Sequence, residues 1–173
     1  MRIGIDISQI VYEGTGVGNY VRHMVTELLK HDTKNEYVLF GASLRRRKEF
    51  REYFPKKHLV IVPIPPTLLD ILWNRFHIFP VEWFTGSLDV FWSSDWTQPP
   101  LIHAKGVTTI HDLTVFRHPE SFVTKIIEVQ RRRLTKAAKL CSAFFCDSEA
   151  TKQDAIKLLG IPKNKLYVIY PGL

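Results

Sequence analysis

Met1-Arg2-Ile3-Gly4-Ile5-Asp6 runs through a short connection into Glu13-Gly14-Thr15-Gly16-Val17-Gly18-Asn19-Tyr20. The first stretch is apolar and extended in character. The second opens a segment in which Tyr20, Val21, Met24, Val25 and Leu28 recur at helical spacing. The unit reads as strand, glycine loop, helix, and working outward from it the same alternation continues to the end of the chain. Strands are expected at Ile3–Ile7, Tyr37–Phe40, Leu59–Val62, Val90–Trp92, Val107–Ile110, Ala143–Cys146 and Tyr167–Ile169. Helices are expected between them at Gly18–Lys30, Leu44–Tyr53, Thr67–Phe79, Phe122–Lys139 and Ser148–Leu159, the last with Ser148 as N-cap and Gly160 as C-cap. Short apolar runs without polar alternation mark strands buried on both faces of a parallel sheet. Alternation with helices makes the fold an open, doubly wound, mainly parallel α/β sheet. Ligands of such sheets sit outside the carboxyl ends of the strands. Attention therefore falls on Asp6 through Gly18, Ser93–Pro100, His111–Pro119 and Asp147-Ser148.

The 173 residues suit one domain with its own core. With 45% hydrophobic and 24% charged residues, the chain has the profile of a soluble globular domain. No signal-peptide pattern opens it, and Asp70, Asn74, Arg75 and Glu82 interrupt the longest apolar stretches, so no membrane span is expected. Cys141 and Cys146 stand an odd number of residues apart on one expected strand, which sends them to opposite faces. They neither pair nor form a metal-ligand pattern, and a reduced, cytoplasmic setting is expected. The net charge of +7 attracts anions. Nucleic acid is disfavoured among these, because no helix-turn-helix, RNA-binding or zinc signature accompanies the charge.

Four segments carry candidate chemistry. In the glycine loop, Gly14, Thr15 and Gly16 allow close backbone approach at a helix start, where free N–H groups favour an anion. The G-x-G-x-G spacing, the long lead from the strand and the absence of an acid after Gly41-Ala42-Ser43 oppose a dinucleotide fingerprint. No Lys-Ser or Lys-Thr follows the glycines, which opposes a nucleotide P-loop. In Thr109-Ile110-His111-Asp112-Leu113, polar residues appear abruptly at a strand end, where His111 and Asp112 can face a ligand and donate or accept hydrogen bonds. A plainer role has Asp112 capping the next turn and His111 filling a crevice. Aromatics from Trp73 and Phe76 through Trp83, Phe84, Phe91 and Trp92 are expected in the core, with Trp96 the exception beside Asp95 in a loop. Finally, Arg45-Arg46-Arg47-Lys48 lies beside Phe50, Tyr53 and Phe54. That mixture suits either an anionic membrane surface or a solvated helix face. Lys56-Lys57 and Arg131-Arg132-Arg133 are further basic clusters.

Taken in order, these segments resemble the group 1 (family four type) glycosyltransferases of GT-B fold. The resemblance rests on Gly14 to Tyr20, Leu72-Trp73, Asp89-Val90-Phe91, Pro99-Pro100, Thr109 to Leu113, Phe116-Arg117, Pro119-Glu120, Leu158-Leu159-Gly160-Ile161 and Tyr170-Pro171-Gly172. Where that family commonly has a His after Asp-Val-Phe, this chain has Trp92. The resemblance implies that residues 1–173 are the Rossmann-like, acceptor-side N-terminal half of a GT-B enzyme. The C-terminal donor-binding domain would lie outside this chain. It further implies transfer of a sugar, of the hexosyltransferase type and with retention, from a nucleotide-sugar donor to a saccharide or lipid-linked acceptor. No metal or other cofactor is expected, and the chain alone is expected to be inactive. His111 is the expected catalytic contact to the transferred sugar. Gly14, Thr15, Gly16, Asp95, Trp96 and Asp112 are the expected substrate contacts. Peripheral contact with the anionic inner membrane face is a further expectation. The alternative is a non-catalytic Rossmann-like module that binds anions or carbohydrate.

Overall fold

A computed structural model describes residues 1–172. Seven strands form one parallel sheet in the order β3-β2-β1-β4-β5-β6-β7. They are β1 (Arg2–Asp6), β2 (Glu36–Ala42), β3 (Leu59–Val62), β4 (Val90–Ser93), β5 (Lys105–Ile110), β6 (Cys141–Cys146) and β7 (Leu166–Val168). Every expected strand is present. The order reverses between β1 and β4, which opens the crevice where sheets of this kind bind ligands.

The helices are α1 (Gly16–His31), α2 (Arg47–Tyr53), α3 (Pro66–Leu69), α4 (Glu82–Thr85), α5 (Thr114–Arg117), α6 (Thr124–Leu140) and α7 (Glu149–Leu159). On one face, Val21 and Val25 of α1 and Phe50 of α2 pack on Ile5, Leu39 and Trp92. On the other, Leu69, Trp73 and Val81 cover Phe40 and Phe91, while α6 and α7 bring Leu134, Ala137 and Ala155 onto Ile110, Phe144 and Leu166. Phe91 and Trp92 serve opposite faces, as adjacent strand residues must.

Several expectations are corrected. The helix expected at Gly18–Lys30 begins at Gly16, because the Thr15 hydroxyl accepts from Gly18 N and caps it. The helix expected at Leu44–Tyr53 begins only at Arg47. The helix expected at Thr67–Phe79 is α3 continued by a π-helical stretch, Asp70–Phe76, which ends at His77 in the left-handed region with φ 56°. Cys141 and Cys146 do not face apart. A bulge after Gly106 shifts the pairing register between Cys141 and Ala143, which resets the alternation, and both cysteines join one core cluster. Burial pushes their thiols up to about 12 and about 11, so neither is a reactive thiolate. No helix of the described residues is long and apolar enough to cross a membrane.

Candidate functional site

The carboxyl ends of β1, β4, β5 and β6 converge around the crevice. At β1, Asp6 is buried, its carboxylate accepting from Ser8 N at 2.9 Å and from the Thr97 hydroxyl at 3.4 Å. Burial holds its pKa above the ordinary value. The chain then turns through the glycine loop. Gly14 sits at φ 75°, a conformation that glycine adopts without strain, and Thr15 bonds back to Tyr12 O at 2.8 Å. Gly14, Thr15 and Gly16 are all exposed, and a Cβ on Gly14 or Gly16 would meet open space. At the start of α1 the N–H groups of Gly16 and Val17 have no acceptor within the helix. This wall of the crevice is bare backbone carrying the positive end of a helix dipole. Gly18, absent from the expected contacts, is the glycine that packing demands: a Cβ there would lie 2.7 Å from Thr15 Oγ1 and 2.9 Å from Gln9 O.

The opposite wall is built from side chains. His111 leaves the end of β5 and its Nδ1 stands 2.7 Å from Asp147 Oδ2 at the end of β6. An ionised carboxylate only accepts, so Nδ1 carries the proton and Nε2 is the free ring nitrogen. The His111 carbonyl accepts from the Thr151 hydroxyl at 3.2 Å, one turn beyond the Ser148 N-cap of α7. Its ring meets Tyr20 of α1 edge to face, with centroids 5.0 Å apart. Tyr20 in turn contacts Trp92, whose indole donates to Thr109 Oγ1 at 3.0 Å. Trp92 is thus a buried brace for the Tyr20 ring. Burial raises the pKa of the Tyr20 phenol.

Asp95 stands close enough to His111, Asp112 and Asp147 for its charge to interact with theirs. Asp112 is exposed and one of its oxygens accepts from Thr114 N at 2.8 Å, an i to i+2 turn at the entry to α5. Asp95 is committed more deeply. It pairs with Arg133, a guanidinium only 1% exposed, which also donates to Ser94 O, Thr108 Oγ1 and Thr109 O. Burial raises the Asp95 pKa and lowers that of Arg133, each opposed by the partner's charge. Arg133 is therefore structural, whereas the sequence shows it only as one member of a basic cluster.

Trp96 is half-buried and lines a pocket of about 340 Å³ with Gln9, Tyr12, Pro66 and Thr67. The π-helical stretch positions it, because Asn74 donates to Trp96 O and accepts from Gln98 N, both at 2.9 Å. Above this pocket Arg46 lies over the Tyr12 ring and donates to Val11 O. Among the described residues no group of three or more His, Cys, Asp or Glu is arranged to hold a metal ion.

The sequence named His111, Asp112, Asp95, Trp96 and the glycines, and it pointed to Asp147 as a carboxylate directly after an apolar strand without giving it a role. Tyr20, Thr151 and Arg133 were not among the expected contacts, because their places depend on long-range packing. The arrangement offers an anion-attracting helix start and a fixed imidazole at the same edge of the sheet, with an aromatic-lined pocket at Tyr12 and Trp96. A comparison with curated protein sequences finds no match. The family profile described as Glycosyltransferase Family 4 matches residues 14–173, from the glycine loop through the last strand, and the chain belongs to that family.

Proposed function

We propose that the chain is the acceptor-side domain of a retaining glycosyltransferase that takes a sugar from a nucleotide-sugar. A second, donor-binding domain closes over the crevice between β1 and β4. The observation that carries this reading is His111, fixed by Asp147, Thr151 and Tyr20 with Nε2 left free beside the helix start. The N–H groups at Gly16 and Val17 lie where a departing diphosphate gathers charge, and such preorganised donors lower the barrier without reorganising. Because Nδ1–H is committed to Asp147, a neutral His111 accepts a hydrogen bond at Nε2 and does not donate one. A hydroxyl of the transferred sugar becomes a stronger donor as positive charge grows on the sugar ring, so this bond tightens toward the transition state. The pocket at Trp96 and Tyr12 gives the acceptor an aromatic floor.

The test follows nucleoside diphosphate release from UDP- and GDP-hexoses with a saccharide panel, using the 173-residue chain alone and joined to a donor domain. The chain alone is expected to be inactive, since a one-walled site fixes few donor contacts. Acceptor-dependent release is expected only for the joined protein. Sustained transfer by the 173-residue chain alone would refute the division of labour. Saccharide binding with no transfer by the joined protein would favour a binding module instead.

A further inference from the structure

Phe76, Ile78, Phe79 and Trp83 stand on the surface at 61%, 45%, 41% and 65% exposure, although the core was the expected place for Phe76 and Trp83. The backbone is bent to put them there. His77 and Phe79 both adopt left-handed conformations, φ 56° and 62°, which cost a bulky residue free energy and point to a functional constraint. The turn is held from inside by the buried Trp73 indole, which donates to Phe79 O at 2.9 Å. Phe79 meets Trp83 edge to face at 5.6 Å, so the two exposed aromatics form one ridge.

A basic groove adjoins this ridge. A hollow of about 600 Å³ between the π-helical stretch and α6 is lined by Arg75, Arg131, Arg132, Lys136 and Lys139 among others. Asp70 and Glu128 neutralise Arg132, and Arg75 lies over the Phe76 ring. The surface faces the amino edge of the sheet: α6 ends where β6 begins, and Arg2 donates to Thr85 O and Ser87 O just beyond Trp83. The crevice is at the other edge and remains open when this surface is covered.

We propose that the ridge of Phe76, Ile78, Phe79 and Trp83, with the adjoining cations, docks this domain on an anionic bilayer. Aromatic rings beside Lys and Arg match the interfacial region of a membrane, where rings enter among headgroups and cations meet phosphates. A symmetric pair of chains would bring the same cations face to face in a protein already at +7, which opposes self-association here. The expected membrane face at Arg45-Arg46-Arg47-Lys48 is the weaker of the two. Phe50 and Phe54 beside it are buried at 0% and 4%, and Arg46 is committed to Val11 O and Tyr12. That cluster has cations but few rings to insert.

Co-sedimentation of the 173-residue chain with vesicles of equimolar phosphatidylcholine and phosphatidylglycerol, against pure phosphatidylcholine, tests the proposal. Binding is expected only to the anionic vesicles. It should weaken roughly fivefold for each cation removed in Arg131→Gln, Lys136→Gln and Lys139→Gln. Phe79→Ser with Trp83→Ser should weaken it at least tenfold, roughly the worth of withdrawing two rings from an apolar phase. Arg45→Gln, Arg47→Gln and Lys48→Gln together should change it much less. Brominated lipid should quench Trp83 fluorescence, because Trp73 and Trp92 are buried and the half-buried Trp96 lies at the crevice edge of the sheet, and Trp83→Phe should remove that signal. No binding to anionic vesicles, binding unchanged by the ridge and groove variants, or gel filtration showing a dimer that Trp83→Ser dissolves would each overturn it.

Discussion

The two walls of the crevice are made differently. The glycine-loop wall is exposed backbone, with Gly14 and Gly16 facing open space and Thr15 bonded only to its own turn. The His111 wall is a lattice of side chains in which Asp147, Thr151, Tyr20, Asp95 and Arg133 each hold another. The difference separates two tasks. A diphosphate can be met by N–H groups that need no side chain, whereas one imidazole must be held to within a fraction of an ångström and so needs neighbours. Tyr20 joins the tasks, because α1 both presents the N–H groups and carries the ring against His111.

This contrast can be broken most severely at Arg133. Replacing it with Met leaves Asp95 without its counter-charge and several carboxyl-end oxygens without a donor, and should cost about 3–5 kcal/mol of stability. The midpoint of urea unfolding reads it. A loss below about 1 kcal/mol would mean that the His111 wall does not depend on its buried pair.

On the other wall, Gly18→Ala and Gly16→Ala separate packing from approach. A Cβ at Gly18 lies 2.7 Å from Thr15 Oγ1 and should cost about 1–3 kcal/mol, while Gly16→Ala should be near neutral. Equal thermal midpoints for the two variants would contradict the close approach at Gly18.

The smallest effect concerns Asp6, between the walls. Burial raises its folded-state pKa, so folding favours the protonated form. The stability it contributes is fully present below its ordinary value and is lost as pH rises through the raised folded value. Asp6→Asn, which keeps an acceptor for Ser8 N, should therefore gain on the parent at neutral pH, and the gain should shrink on acidification. Asp32 has the opposite sign. Hydrogen bonds from Tyr37, Asn35 and Lys34 lower its pKa, so its contribution is present above the ordinary value and lost on acidification. Thermal midpoints of Asp6→Asn and Asp32→Asn across the acid range should diverge in these directions.

The sheet was legible because its strands are buried on both faces and show as near-continuous apolar runs, from Tyr37–Phe40 to Ala143–Cys146. Gly160 was legible for a local reason, the left-handed turn that ends α7. What stayed hidden depends on residues far apart in the chain. Arg133 reads as one of three consecutive cations, and its contacts with Ser94, Asp95, Thr108 and Thr109 explain its burial. The exposed Phe76 and Trp83 read as core because helical spacing reveals neither the π-helical stretch that carries Phe76 nor the left-handed residues His77 and Phe79 that separate it from Trp83. His111 was visible at a strand end, but its tautomer, and so the direction of its hydrogen bond, required Asp147.

The central claim is that His111 acts on the transferred sugar while the glycine loop serves the phosphate. The most direct measurement is turnover of His111→Ala in the protein joined to its donor domain, beside the thermal midpoint of the same variant. The account predicts a loss of about 10²–10³ in kcat, the size seen for other groups that bind a transition state, with the midpoint nearly unchanged. Gly16→Val should instead raise KM for the nucleotide-sugar. Near-parental turnover of His111→Ala, or a loss that tracks unfolding, would contradict the account and leave His111 a packing residue of the crevice.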